Sequence, residues 1–277
     1  MKADCHIHMV LDGVYWKDSI ARGVHEPFIR NVLQTYRDRG YTYLRDGGDR
    51  WGVGQRAREL AGEYGITYKT PLAPLCLRGH YGGFIGLCYD DLKEYAALVI
   101  RQREQGADFV KIMISGLMDF DRFGVLTEEG LAPALIRELI HIAHEEGMAV
   151  MAHCNGAQTA LAAAEARVDS VEHGAYLHRE ALAALTENRV VWVPTVSTVG
   201  NLLGKGRFRE EAVQQILDNV LENISQYRAM GGLIAPGTDA GAWAVEHGCC
   251  SEEGWLAMAG VTDTDLQRGI AVIQEKF

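Results

Sequence analysis

Clusters of lysine and arginine are missing from this sequence, and 27 basic residues against 37 acidic ones leave a formal net charge of -10. Nucleic acid and anionic membrane would both be repelled by that balance, which suits a small neutral or cationic substrate better. No apolar run is long enough to span a bilayer, and the chain opens on Met1-Lys2-Ala3-Asp4 rather than on a basic segment leading into an apolar one. A cytoplasmic protein is expected. Disulfide spacing is also missing: Cys5, Cys76, Cys88 and Cys154 are scattered, and Cys249-Cys250 are adjacent, where a mutual bridge would be strained. Reduced thiols are expected. No low-complexity segment, linker or repeat divides the 277 residues, so residues 1–277 read as one domain with ample material for a large core.

What is present is an alternation of short apolar runs and amphipathic stretches closed by glycine. Strands are expected at 3–8, 41–44, 66–72, 109–114, 149–152, 170–172, 190–193 and 233–235. Between them the pattern predicts helices at 27–39, 53–64 and 90–105, then one opened by Thr127 and running to 147, with Trp16 on a loop. An Ala-rich helix to Arg167, a short one from Arg179, one at 210–230 and a last one after Thr262 complete the series. Eight strand-helix units predict an α/β fold, a (β/α)8 TIM barrel of parallel strands buried on both faces. The active site of such a barrel lies at the carboxyl ends of its strands.

Polar residues sit where that architecture places chemistry. His6 and His8, two apart in the first strand, project from one face and can grip one metal ion. Two ligands are too few for a tight site, and His153, His173 and Asp239 stand at corresponding strand ends. Lys111 is an amine inside the apolar run Phe109-Val110-Lys111-Ile112-Met113, where an unpaired ammonium is costly. Either a carboxylate such as Asp46 or Asp239 pairs with it, or burial keeps it neutral and lets it add carbon dioxide to become a carbamate bridging two cations. His80, on the glycine-rich loop after the third strand, is a candidate for a substrate carboxylate or carbonyl, and Tyr81, Tyr176 and His247 are weaker candidates for the same pocket. His141 and His144 read as a solvated helix face, and Cys154 is expected to point away from the ligands.

The order His-x-His, Lys, His, His, Asp on successive strands resembles the amidohydrolase superfamily. The words Asp4-Cys5-His6-Ile7-His8, Leu44-Arg45-Asp46-Gly47-Gly48, Gly79-His80, Phe109-Val110-Lys111-Ile112, Val171-Glu172-His173-Gly174, Val193-Pro194-Thr195 and Pro236-Gly237-Thr238-Asp239-Ala240-Gly241 are similar to its imidazolonepropionase-like and prolidase-like branch. That resemblance implies two divalent ions, with zinc the expected metal. His6, His8 and Asp239 would hold one, His153 and His173 the other, and carboxylated Lys111 would bridge them. It further implies that a metal-activated hydroxide attacks an amide of a small molecule, such as a dipeptide or N-acyl amino acid, while Asp239 takes its proton. Lactonase, cyclic amidase or phosphotriesterase chemistry on the same scaffold is the first alternative, and a catalytically silent metal- or ligand-binding barrel the second. Family members usually carry a small β-sandwich as well, and the barrel is expected here without it, possible self-association being left open.

Overall fold

The computed structural model describes residues 2–277. Ten strands run in the order β1 (Lys2–Ile7), β2 (Tyr41–Asp46), β3 (Thr67–Lys69), β4 (Leu75–Leu77), β5 (Leu87–Tyr89), β6 (Val110–Met113), β7 (Val150–Cys154), β8 (Ser170–His173), β9 (Val191–Val193) and β10 (Leu233–Ile234). The helices are α1 (Trp16–Arg22), α2 (Glu26–Asp38), α3 (Val53–Ala61), α4 (Leu92–Glu104), α5 (Pro133–Glu145), α6 (Ala157–Glu165), α7 (Arg179–Glu187), α8 (Ser197–Gly200), α9 (Glu210–Ala229), α10 (Ser251–Met258) and α11 (Asp263–Lys276). None of them is long and apolar enough to cross a membrane.

Every strand pairing is parallel, within the orders β1-β2-β3 and β10-β9-β8-β7-β6-β4-β5. Backbone hydrogen bonds join the two sheets at both seams. Asp108 N donates to Thr70 O at 3.0 Å, tying the end of β3 to the start of β6. On the other side Cys5 N donates to Pro236 O (2.8 Å), Asp239 N to His6 O (2.7 Å) and His8 N to Ala240 O (2.7 Å). The result is a (β/α)8 barrel in which β3 and β4 together occupy the third position and β5 is an added edge strand.

Burial follows the sequence pattern. All four residues of β6 and of β8 are buried, as expected for strands covered on both faces. The buried stripe of α2, Ile29, Val32, Leu33 and Tyr36, recurs at helical spacing, and each of its aliphatic members contributes roughly 1.5–3 kcal/mol by leaving water. The barrel interior is plugged from below by Phe277, which meets Phe109 edge-on at 5.2 Å and lies 4.5 Å beneath the Arg45 guanidinium.

Three local expectations are corrected. The third strand is broken, because Pro71 and Pro74 lack the N–H that a continuous ladder needs, and Leu72 turns at φ 65°. Thr127 does not open a helix: its Oγ1 accepts from Leu117 N at 2.9 Å, its own N donates to Leu117 O at 2.8 Å, and α5 begins six residues later on Pro133, where a missing N–H costs nothing. Trp16 is the first residue of α1 rather than part of a loop.

Candidate metal centre

The carboxyl ends of the strands bring the chemically active side chains together. His6 lies next to the last residue of β1 and His8 just past the strand, Lys111 in β6, His153 in β7, His173 at the end of β8, and Asp239 on the segment after β10 that bonds back to β1. His6 Nε2 and His8 Nε2 stand 3.6 and 3.4 Å from Asp239 Oδ1, and one ligand atom from each of the three lies within 4.8 Å of the others. The His173 ring is 5.0 Å from His6 and 4.5 Å from His153, so the second pair of histidines adjoins the first set.

The free atoms of these residues show what the site is built to hold. His6 Nε2, His8 Nδ1, Lys111 Nζ and Asp239 Oδ1 are all buried, and none has a hydrogen-bond partner within the described chain. Orphaned polar atoms normally cost about 1–3 kcal/mol each, and two of these, His6 Nε2 and Asp239 Oδ1, face each other at 3.6 Å within the cluster that His8 completes, which is what a site built for a ligand leaves open. Imidazole nitrogen, carboxylate oxygen and an amine that can be carboxylated form a donor set that fits divalent metal ions. The pairing of Lys111 with Asp46 or Asp239 weighed above is not made, since its Nζ has no such bond.

Electrostatics prepares the same donors. Burial, with the charge of Lys111 added, pushes the His8 and His153 imidazoles down to about 3, and His6 and His173 likewise fall well below the usual range. Each ring therefore stays neutral with a lone pair to give. Burial lowers the Lys111 amine and raises the Asp239 carboxyl, the latter opposed by the Lys111 charge.

The ring nitrogens turned away from the centre are fixed by partners that local spacing does not reveal. His6 Nδ1 meets Glu172 Oε2 at 2.8 Å, and Glu172 Oε1 accepts from Arg45 (2.8 Å) and Ser170 Oγ (2.6 Å), all of it fully buried. His173 Nδ1 meets Thr195 Oγ1 at 2.7 Å, and His153 Nε2 lies 3.2 Å from Gly116 O. Such outer partners set the tautomer and aim of a metal-binding histidine. The one sequence signal for Glu172 was a carboxylate in a strand with no exposed face.

The weaker candidates disperse. His80 is at the exposed mouth, its Nδ1 paired with Glu128. Tyr81 leans on His153, with ring centroids 4.7 Å apart. Tyr176 meets Phe123 edge-on at 5.5 Å, and its hydroxyl is buried. His247 turns its Nε2 to Leu11 O at 2.8 Å and packs against Tyr36. His144 binds Asp169 at 2.8 Å and His141 faces Glu145 at 3.5 Å on the outer helix. Cys154 is fully buried.

No family model matches the chain. Among curated proteins it is similar to ochratoxinase from Aspergillus niger, 25% identical over 287 residues that cover 85% of this chain and 56% of that protein, so the chain spans about half the length of the curated relative. Among solved structures it is similar to a Xaa-Pro dipeptidase with methionine bound in its active site, with TM-score 0.77, 20% identity, and 99% and 75% of the two chains covered. The crystal structure of A. niger ochratoxinase aligns with TM-score 0.75 and 22% identity over 96% of this chain and 69% of that one, and an amidohydrolase with 0.69 and 21% over 99% and 73%.

Proposed function

We propose that this chain, whose fold is that of the amidohydrolases, is a metal-dependent hydrolase that cleaves the C–N bond of a small amide such as a dipeptide or an N-acyl amino acid. The observation that carries the reading is the cluster of His6, His8 and Asp239, with ligand atoms within 4.8 Å of one another and with His6 Nε2 and Asp239 Oδ1 buried and unpartnered. His6, His8 and Asp239 would hold one divalent ion and His153 and His173 a second, zinc being the expected metal. When bound, such ions polarise a carbonyl and lower the pKa of water toward ~7. Burial lowers the Lys111 amine to about 8, which eases loss of its proton. The free amine would add carbon dioxide at Nζ with loss of one further proton, and the resulting carbamate would supply the anionic ligand that two cations need between them. Asp239 accepts the proton that water releases as its oxygen bonds to the amide carbon, and returns it to the nitrogen as the C–N bond breaks. Nδ1 of His80 is engaged by Glu128, which leaves Nε2 for a substrate carboxylate at the mouth. The names of the similar proteins, a dipeptidase and an amidohydrolase, support an amide over a lactone or phosphotriester. The net charge of -10 supports a compact substrate over nucleic acid or membrane, in a cytoplasmic setting.

The test is hydrolysis of a panel of dipeptides, N-acyl amino acids, lactones and phosphotriesters by zinc-loaded and chelator-stripped protein. Amide cleavage that disappears on stripping and returns with zinc is expected. Turnover indifferent to the chelator, or confined to lactones or phosphotriesters, would overturn the reading.

A further inference from the structure

The loop between β4 and β5 delivers one side chain to the centre that the reading above leaves without a role. Tyr81 N donates to Glu128 Oε2 at 2.9 Å, and the same carboxylate binds the neighbouring His80, so the loop is pinned from across the barrel mouth. Gly82 has φ +107°, and a Cβ there would lie 2.5 Å from Met113 Cγ and 3.2 Å from Cys76 Cβ. The loop thus packs directly on the end of β6, closer than any side chain at 82 would permit. The Tyr81 ring is wedged between Phe84 (5.8 Å) and the ligand histidine His153 (4.7 Å, interplanar angle 37°). Among the described residues its hydroxyl makes no hydrogen bond, and unlike those of Tyr43, Tyr68, Tyr89 and Tyr176 it is not sealed in the interior. An ordinary phenol keeps its proton at neutral pH, so the hydroxyl is a donor.

A rigidly held, uncommitted O–H beside the reacting centre is the arrangement that stabilises charge developing on a substrate oxygen. We propose that Tyr81 is a catalytic residue whose hydroxyl donates a hydrogen bond to the carbonyl oxygen of the scissile amide as negative charge builds there. This rests on the amide-hydrolase reading and adds to it a protein donor for the oxygen. Because the donor is fixed before substrate arrives, its contribution falls on the transition state more than on substrate binding.

Tyr81→Phe keeps the ring against His153 and Phe84 and removes only the oxygen. Loss of one such donor is expected to lower kcat by about 10²–10³-fold with KM little changed. Zinc content and thermal midpoint should match wild type. The N-methylphosphonyl analogue of whichever dipeptide wild type cleaves fastest carries an anionic oxygen in the tetrahedral position, and its affinity should fall by a similar factor while that of the product carboxylic acid does not. Unchanged kcat, equal weakening of analogue and product, or loss of zinc would each overturn the role. Failure of wild type to cleave any amide would instead remove the amide-hydrolase reading and this role with it, whereas wild-type turnover matched by Tyr81→Phe removes this role alone.

Discussion

Three residues around the centre hold the left-handed backbone that side chains rarely adopt: His173 at φ 67°, Thr195 at 51° and Asp239 at 56°. Such conformations cost of order 1–3 kcal/mol each and persist only where neighbours over-determine them. Here they do. Asp239 N is bound to His6 O at 2.7 Å, His173 Nδ1 to Thr195 Oγ1 at 2.7 Å, and His173 O accepts from Trp192 Nε1 at 2.9 Å. Strain is therefore spent on the residues assigned to metal and proton, which gives Asp239 a sharp test. Asp239→Asn keeps the size and an oxygen ligand but cannot take a proton, so kcat should fall by about 10²–10⁴-fold while the histidines retain much of the zinc. Elemental analysis beside steady-state kinetics on the best amide checks it, and near wild-type turnover with zinc bound would move the proton to another group. Glu172 is the other residue that matters at this scale. It is fully buried between Arg45 and His6, and deleting one partner of such a pair costs roughly 3–5 kcal/mol because the other charge is stranded.

At the scale of elements, the short α8 and α10 over the catalytic end are tied by one carboxylate. Glu252, near the start of α10, accepts from Val196 N (3.0 Å), Ser197 N (2.7 Å) and Ser197 Oγ (2.8 Å), satisfying the amino end of α8. Burial nevertheless raises its pKa from the ordinary 4.5 to about 7. Between those values the folded protein holds a proton that the unfolded chain has released, so stability falls as pH rises through the window. Glu252→Gln removes that titration. Thermal midpoints of the two proteins measured from pH 4.5 to 7 should therefore show wild type losing ground to the variant as pH rises, by a few kcal/mol at most. Parallel pH profiles would show that Glu252 is ionised throughout. The positions of the strand ends were legible in the sequence because a strand buried on both faces carries a polar side chain only where it is used, as Lys111 does in β6. The broken third strand and the late start of α5 were not, since they depend on where Pro71 and Pro74 interrupt a ladder and on Leu117 capturing the Thr127 hydroxyl. Nor was the His6–Glu172 bond, which joins residues 166 apart in sequence.

On the scale of the whole molecule, the interior is layered along the barrel axis. Phe277 and Phe109 seal the bottom, the buried ions Arg45 and Glu172 lie above them, and Lys111, the four histidines and Asp239 face the open end. Each layer supports the next: the aromatic seal underlies Arg45, Arg45 holds Glu172, and Glu172 turns His6 so that Nε2 is free for the centre. The measurement that bears most directly on this account is anomalous X-ray diffraction at the zinc edge from crystals grown with zinc and bicarbonate. One peak is predicted among His6, His8 and Asp239 and a second between His153 and His173, with density extending from Lys111 Nζ as a carboxylate between them. Zinc-loaded crystals with no peak at His6, His8 and Asp239 would contradict the account.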